Sequence, residues 1–195
     1  MPNWASSSYA IVGEKEEIKF LYDLMNELQS RKEPLVKNGF GCNWLGCLVT
    51  ALGGDWEKVH CRGSWDSLEL KDDCQLNFNT KTAWSPCNEV MDLIIEKYPS
   101  LGFYYICEEP GMALYITNDE FRNYFPERYK VDLCTPEEDY ETEYFYSMES
   151  LSKWFRKHYD IDINSIEDIN ALHEKWEQEN EDAYCYIYEF EIEND

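Results

Sequence analysis

Apolar and polar positions along this chain fall into short periodic runs separated by turn residues. Residues 7–12, with Tyr9, Ile11 and Val12, read as a short strand closed by Gly13. Ile18, Leu21, Met25 and Leu28 then recur at three- and four-residue intervals, the spacing of one buried helical stripe. Glu14, Glu16 and Glu17 open that helix, where acids complement its dipole, and Pro34 marks the exit. Residues 38–66 are the least regular part, with a turn at Asn38–Gly41 and a short helix from Trp44 to Leu52 stopped by Gly53-Gly54. Ser67–Lys71 and Cys74–Thr80 alternate apolar and polar around Asp72-Asp73, which predicts a hairpin with one wet face. Ser85-Pro86 reads as the N-cap and first residue of a helix carrying Val90, Ile94 and Tyr98 on one stripe. Tyr98-Pro99 ends it, because a residue before proline avoids the helical region. Residues 101–107 and 112–117 form a second hairpin around Glu108–Gly111. Beyond residue 118 acids dominate, and the pattern predicts amphipathic helices over about 148–159 and 165–179 and a strand over 183–190.

The order β-α-β-β-α-β over residues 7–107 is that of a split βαβ, or ferredoxin-like, layer. The expected fold class is therefore α+β. Two helices cover one face of a four-stranded antiparallel sheet, and an acidic C-terminal α/β extension follows. The expected organisation is a first domain over 1–117, with an irregular insertion at 31–66, and an acidic extension over 118–195 packed on it.

Composition changes this picture in one respect. The chain of 195 residues carries 40 Asp and Glu against 17 Lys and Arg, a net charge of -23. Residues 1–107 hold 15 acids and 10 bases, and residues 108–195 hold 25 and 7, so the excess sits in the second part. With 44% hydrophobic and 16% aromatic residues the chain is not an acidic disordered tail. The acids instead coat a folded body, which repels nucleic acid and anionic membranes and attracts cationic partners. No run approaches the ~18 apolar residues of a membrane span. The first eight residues lack a basic segment and an apolar segment, so the expectation is a cytoplasmic protein with free thiols.

Candidate chemistry is sparse. Cys42, Cys47, His60 and Cys61 have zinc-ligand residue types, but His60 and Cys61 are adjacent, and neighbouring side chains rarely converge on one ion. A thiol site over 39–61 lacks a visible orienting third group, so packing cysteines are the simpler reading. Asp160, Asp162 and Asn164 imitate the start of a calcium loop, but Ser165 and Ala171 stand where glycine and glutamate are needed. Glu137, Glu138, Asp139, Glu141 and Glu143 form an acidic run that either solvates the surface or imitates the phosphates of DNA. Trp65, Trp84 and Glu109 are further candidate contact residues.

Several segments recur together: Met1-Pro2-Asn3-Trp4, Gly63-Ser64-Trp65-Asp66, Thr82-Ala83-Trp84-Ser85-Pro86, Lys97-Tyr98-Pro99 and Glu108-Glu109-Pro110-Gly111. Their order and spacing over roughly residues 1–117 resemble the YubB-type ferredoxin-like domain family, small proteins of bacterial plasmids, phages and gut bacteria. The resemblance implies the fold and a mobile-element setting; it implies no iron–sulfur cluster and no reaction. Ala5 stands where relatives often carry Cys, and Cys61-Arg62-Gly63-Ser64-Trp65 stands where they often read Trp-Gly-Thr-Lys-Trp. The expected function is that of a non-enzymatic interaction or accessory protein without a cofactor. Its partner is a protein, basic if the acids are functional, and neither nucleic acid nor membrane; the oligomeric state is left open. The alternatives are an acidic decoy for a basic DNA-binding protein and a zinc or thiol site at 39–61.

Overall fold

A computed structural model describes residues 2–193. The chain is mixed α+β and divides into two compact units, the first ending at Asp119 and the second running from Glu120 to Glu193.

The first unit contains β1 (Trp4–Val12), α1 (Lys15–Gln29), α2 (Leu45–Ala51), β2 (Gly63–Asp72), β3 (Gln75–Ala83), α3 (Asn88–Lys97), β4 (Gly102–Glu109) and β5 (Leu114–Thr117). Its strands lie in the order β2-β3-β1-β4-β5, every neighbouring pair antiparallel. Period-two alternation sends Ala5, Tyr9 and Ile11 to one face, opposite Thr82, Phe78 and Leu76 of β3. That face packs with Ile18, Leu21, Met25 and Leu28 of α1 and Val90, Met91 and Ile94 of α3. The Tyr9 ring stacks between Phe78 at 5.3 Å and Tyr105 at 5.7 Å, binding three adjacent strands through one aromatic layer. Its hydroxyl donates to Asn88 Oδ1 at 2.9 Å, so the buried oxygen is satisfied.

Three local expectations are corrected. The helix opens at Asn88, with Cys87 as its N-cap, instead of at Ser85-Pro86. The Ser85 carbonyl accepts the Thr82 hydroxyl at 2.7 Å, and Trp84 takes a left-handed φ of 74°, so the turn is completed before the helix begins. Strand β2 starts at Gly63, and a bulge centred on Ser67 (φ 53°) interrupts its pairing with β3. A Cβ at Gly63 would collide with the Lys81 carbonyl and the Thr82 backbone, which is why this strand begins on glycine. Strand β5 starts at Leu114, because Pro110–Met112 forms a single 3-10 turn.

The second unit holds more sheet than its sequence pattern suggested. Strands β6 (Tyr129–Cys134), β7 (Tyr140–Phe145) and β8 (Tyr184–Glu189) form an antiparallel sheet in the order β7-β6-β8. Helices α4 (Met148–Tyr159) and α5 (Ile166–Glu179) supply Leu151, Phe155, Ile169, Leu172 and Trp176 to a core shared with Val131, Leu133, Phe145 and Cys185. Both helices open with reciprocal capping boxes, Ser147 with Ser150 and Ser165 with Asp168. Asp160 ends α4 in the left-handed region, and with Asp162 it pairs with Arg156 at 3.5 and 3.2 Å.

Candidate interaction site

The outer face of the second sheet is clad in tyrosine. Strand register places Tyr144, Lys130 and Tyr188 in one row, Thr142, Asp132 and Tyr186 in the next, and Tyr140, Cys134 and Tyr184 in the third. Tyr140 is 68% exposed and Tyr186 44%, and Tyr144 is also exposed. Beneath them, Lys130 and Cys134 are buried. The Lys130 ammonium lies 5.6 Å from the centre of the Tyr144 ring, a cation–π arrangement. Tyr184 and Tyr186 stack at 5.1 Å. Burial first, and the Asp132 charge second, push the Tyr184 hydroxyl above its ordinary pKa. Rigid amphipathic rings around one buried cation make a broad adhesive surface with little side-chain entropy to lose.

The acidic run lies along one margin of this face. Thr135–Asp139 is a hairpin loop closed by Glu138 N–H to Thr135 O at 2.9 Å and Thr135 N–H to Asp139 O at 2.9 Å. Glu138 takes the left-handed position with φ 68°, and Glu137 precedes it. Glu141 and Glu143 alternate on β7 with the tyrosines, and so sit on the helix side of the strand. Glu141 accepts the Tyr159 hydroxyl at 3.0 Å; burial and this carboxylate both drive the Tyr159 pKa up. Under the loop, Tyr159, Trp176, Glu137, Asp139 and Glu179 line a hollow of about 350 Å³.

The first unit carries a second aromatic group. Trp4, Phe40, Trp44 and Trp56 touch in series, with ring centres 6.3, 6.3 and 5.3 Å apart. Gly46 permits this, since a Cβ there would enter the Trp44 ring. Two hollows of about 410 and 230 Å³ flank Phe40. The first includes Ser6, Ser64 and Lys81, the second His60, Cys61 and Arg62.

The remaining sequence candidates fall in different places. Trp65 is 0% exposed and donates its indole N–H to Gln29 Oε1 at 3.2 Å, so it is a core residue, and the expectation of a contact residue there is corrected. Glu109 is 2% exposed and accepts the Gly111 N–H at 2.9 Å, which makes it the cap of a turn and withdraws it from the surface. Trp84 is exposed and sits on strained backbone. All eight cysteines are free thiols. Cys42, Cys47 and Cys61 point their sulfurs at the carbonyls of Arg31, Val36 and Trp56, and the His60 backbone N–H donates to Glu89. Among the described residues no three His, Cys, Asp or Glu side chains are grouped to hold a metal. Burial pushes the Cys87 and Cys185 thiols up to about 12, away from nucleophilic reactivity. Among the described residues no helix is long and apolar enough to cross a membrane.

The tyrosine face escaped the sequence reading, although its signal was present. Tyr184, Tyr186 and Tyr188, and likewise Tyr140, Tyr144 and Tyr146, are spaced in twos and fours, the period of one strand face. Comparison with known proteins finds no match among family models, curated proteins or solved structures.

Proposed function

We propose that this protein is a non-enzymatic binding protein whose second unit grips a basic protein partner through the tyrosine-clad outer face of its sheet. The observation that carries this reading is the exposure of Tyr140, Tyr144 and Tyr186 on one sheet face beside the acids of the β6–β7 loop. Tyrosine and arginine are paired by chemistry: a guanidinium stacks on a ring while its N–H groups meet carboxylates. Tyrosine is also enriched among residues that dominate binding energy. In this reading the first unit is a ferredoxin-like layer of the YubB type with a role in a mobile element. The order β2-β3-β1-β4 supports that arrangement.

The test is binding of an Arg-rich peptide, measured by calorimetry. Tyr140→Ala combined with Tyr186→Ala should weaken binding at least tenfold, because removing a dominant aromatic contact costs about 2 kcal/mol or more. Charge reversal at Glu16 and Glu17, exposed or half-buried acids of the first unit, should leave it within twofold. A loss from the Glu16 and Glu17 reversal with none from the tyrosine pair would mean that charge alone attracts the peptide. The acidic decoy reading then gains, and it predicts a steep loss of affinity with salt.

A further inference from the structure

The two edges of the second sheet are treated differently. Along β8, helix α5 lies against the edge, and His173 Nδ1 accepts the Cys185 N–H at 3.3 Å. Along β7, five of six residues are exposed. The direction of the β7 backbone groups follows from ladder parity. Thr135 N–H bonds Asp139 O, in the register that pairs Leu133 with Glu141 and Val131 with Glu143. In an antiparallel ladder, hydrogen-bonded and non-bonded pairs alternate. Glu141 and Glu143 therefore turn their N–H and C=O groups toward β6, and Tyr140, Thr142 and Tyr144 turn theirs outward. The other side of β6 agrees. Phe190 N–H bonds Arg128 O in register with β8, which sends the Cys185 N–H outward, where His173 meets it.

We infer that β7 is a strand-addition site, and that its occupant is an extended basic segment of a partner protein, in which cationic residues alternate with apolar or small ones. This deepens the reading above and rests on it. Charge complementarity selects the occupant. An added strand would lay one set of side chains beside Glu141 and Glu143 and the alternate set beside Tyr140 and Tyr144. Cations belong on the first set and apolar groups on the second. At the loop end, the hollow of Tyr159, Trp176, Glu137, Asp139 and Glu179 has the ring faces and carboxylates that hold a guanidinium. Two copies of this chain paired edge to edge would bring Glu141 and Glu143 against like charges, which disfavours self-pairing. Strand addition of this kind takes affinity from main-chain bonds and specificity from alternate side chains.

The experiment uses the full chain and a capped synthetic peptide alternating Arg or Lys with Val or Thr. A composition-matched peptide with its cations in one block is the control. Amide exchange followed by NMR reads the mode directly. The N–H groups of Tyr140 and Thr142 should exchange quickly in the free protein and slow at least tenfold with the alternating peptide, while Glu141 and Glu143 are slow in both. Thr142→Pro removes one outward donor at an edge position that tolerates proline, and should weaken binding at least tenfold. N-methylation of alternate peptide residues should abolish binding in one of its two phases only. If the alternating and blocked peptides bind equally and the Tyr140 and Thr142 amides stay fast, strand addition is overturned. Loss on Tyr140→Ala with Tyr186→Ala would then still support the tyrosine face. If neither peptide binds, both readings fall. A concentration-dependent dimer with the Tyr140 and Thr142 amides slowed in the absence of peptide would assign the edge to a second copy and overturn the basic occupant.

Discussion

Replacing Trp65 by alanine separates a core role from a contact role with a single measurement. The ring is 0% exposed, and its N–H is bonded to Gln29 at 3.2 Å. A buried indole removes about 200 Å² from water, which at ~25 cal/mol per Å² is roughly 5 kcal/mol. Measured large-to-small truncations of this kind cost about 3–5 kcal/mol, because the surroundings collapse only in part. A unit of this size has on the order of 10 kcal/mol of stability, so the loss is a large fraction of the total. Urea unfolding of the full chain, followed by near-UV circular dichroism, should show the unfolding free energy lowered by about 3–5 kcal/mol, read as a lower midpoint at unchanged slope. Trp65→Phe keeps most of the apolar area and frees only the exposed Gln29 side chain, so it should cost about 1–2 kcal/mol. A shift below ~1 kcal/mol for the alanine variant would refute the assignment and return Trp65 to the contact surface.

Gly63→Ala should cost about 3 kcal/mol or more in the same unfolding assay, because its Cβ meets strand backbone that cannot turn aside, whereas Gly39→Ala, with open space around it, should cost less than about 1 kcal/mol. Ser147→Ala and Ser165→Ala each break a capping box and should cost about 1 kcal/mol, separately and additively, by thermal unfolding. With a disulfide reagent at pH 8, exposed Cys74 and half-buried Cys42 should react in the native state, and the six buried thiols only on unfolding. Cys87 and Cys185 hold their protons up to about 12 in the folded state and release them near 8.5 when unfolded. Their contribution is present below pH ~8.5 and is lost as pH rises toward 12. Stability should therefore fall across that window, by roughly 4 kcal/mol per thiol at the top of it, in denaturant titrations repeated against pH.

The first unit was legible because its elements carry strong periods. The stripe Ile18, Leu21, Met25 and Leu28 is the buried face of α1, and the alternation in Leu76 and Phe78 is the buried face of β3. Boundaries were less legible where side chains and backbone compete. Thr82 takes the Ser85 carbonyl and delays α3 to Asn88, although Ser-Pro is an ordinary helix start. In the second unit β6 and β7 were hidden. Only Phe145 of β7 is buried, so the strand shows no apolar alternation and reads as part of an acidic run. Pro136 and Glu138 form a tight loop without glycine, which removes the usual hairpin sign. Among the contact residues expected from sequence, the acids lie where an edge strand exposes them, and the tryptophans divide. Trp84 stays at the surface, while Trp65 goes inside because β2 begins four residues earlier than its alternation suggested.

The central claim is that the outer face and open edge of the second sheet, and not acidity at large, bind a basic partner. Titrating the alternating Arg/Val peptide into isotopically labelled protein, at low salt and again with added salt, addresses it most directly. The account predicts saturable chemical-shift changes confined to Tyr140–Tyr144, Lys130, Asp132 and Tyr184–Tyr188, retained in added salt. Weak changes spread over the acids of α1, α4 and α5 and erased by salt would contradict it.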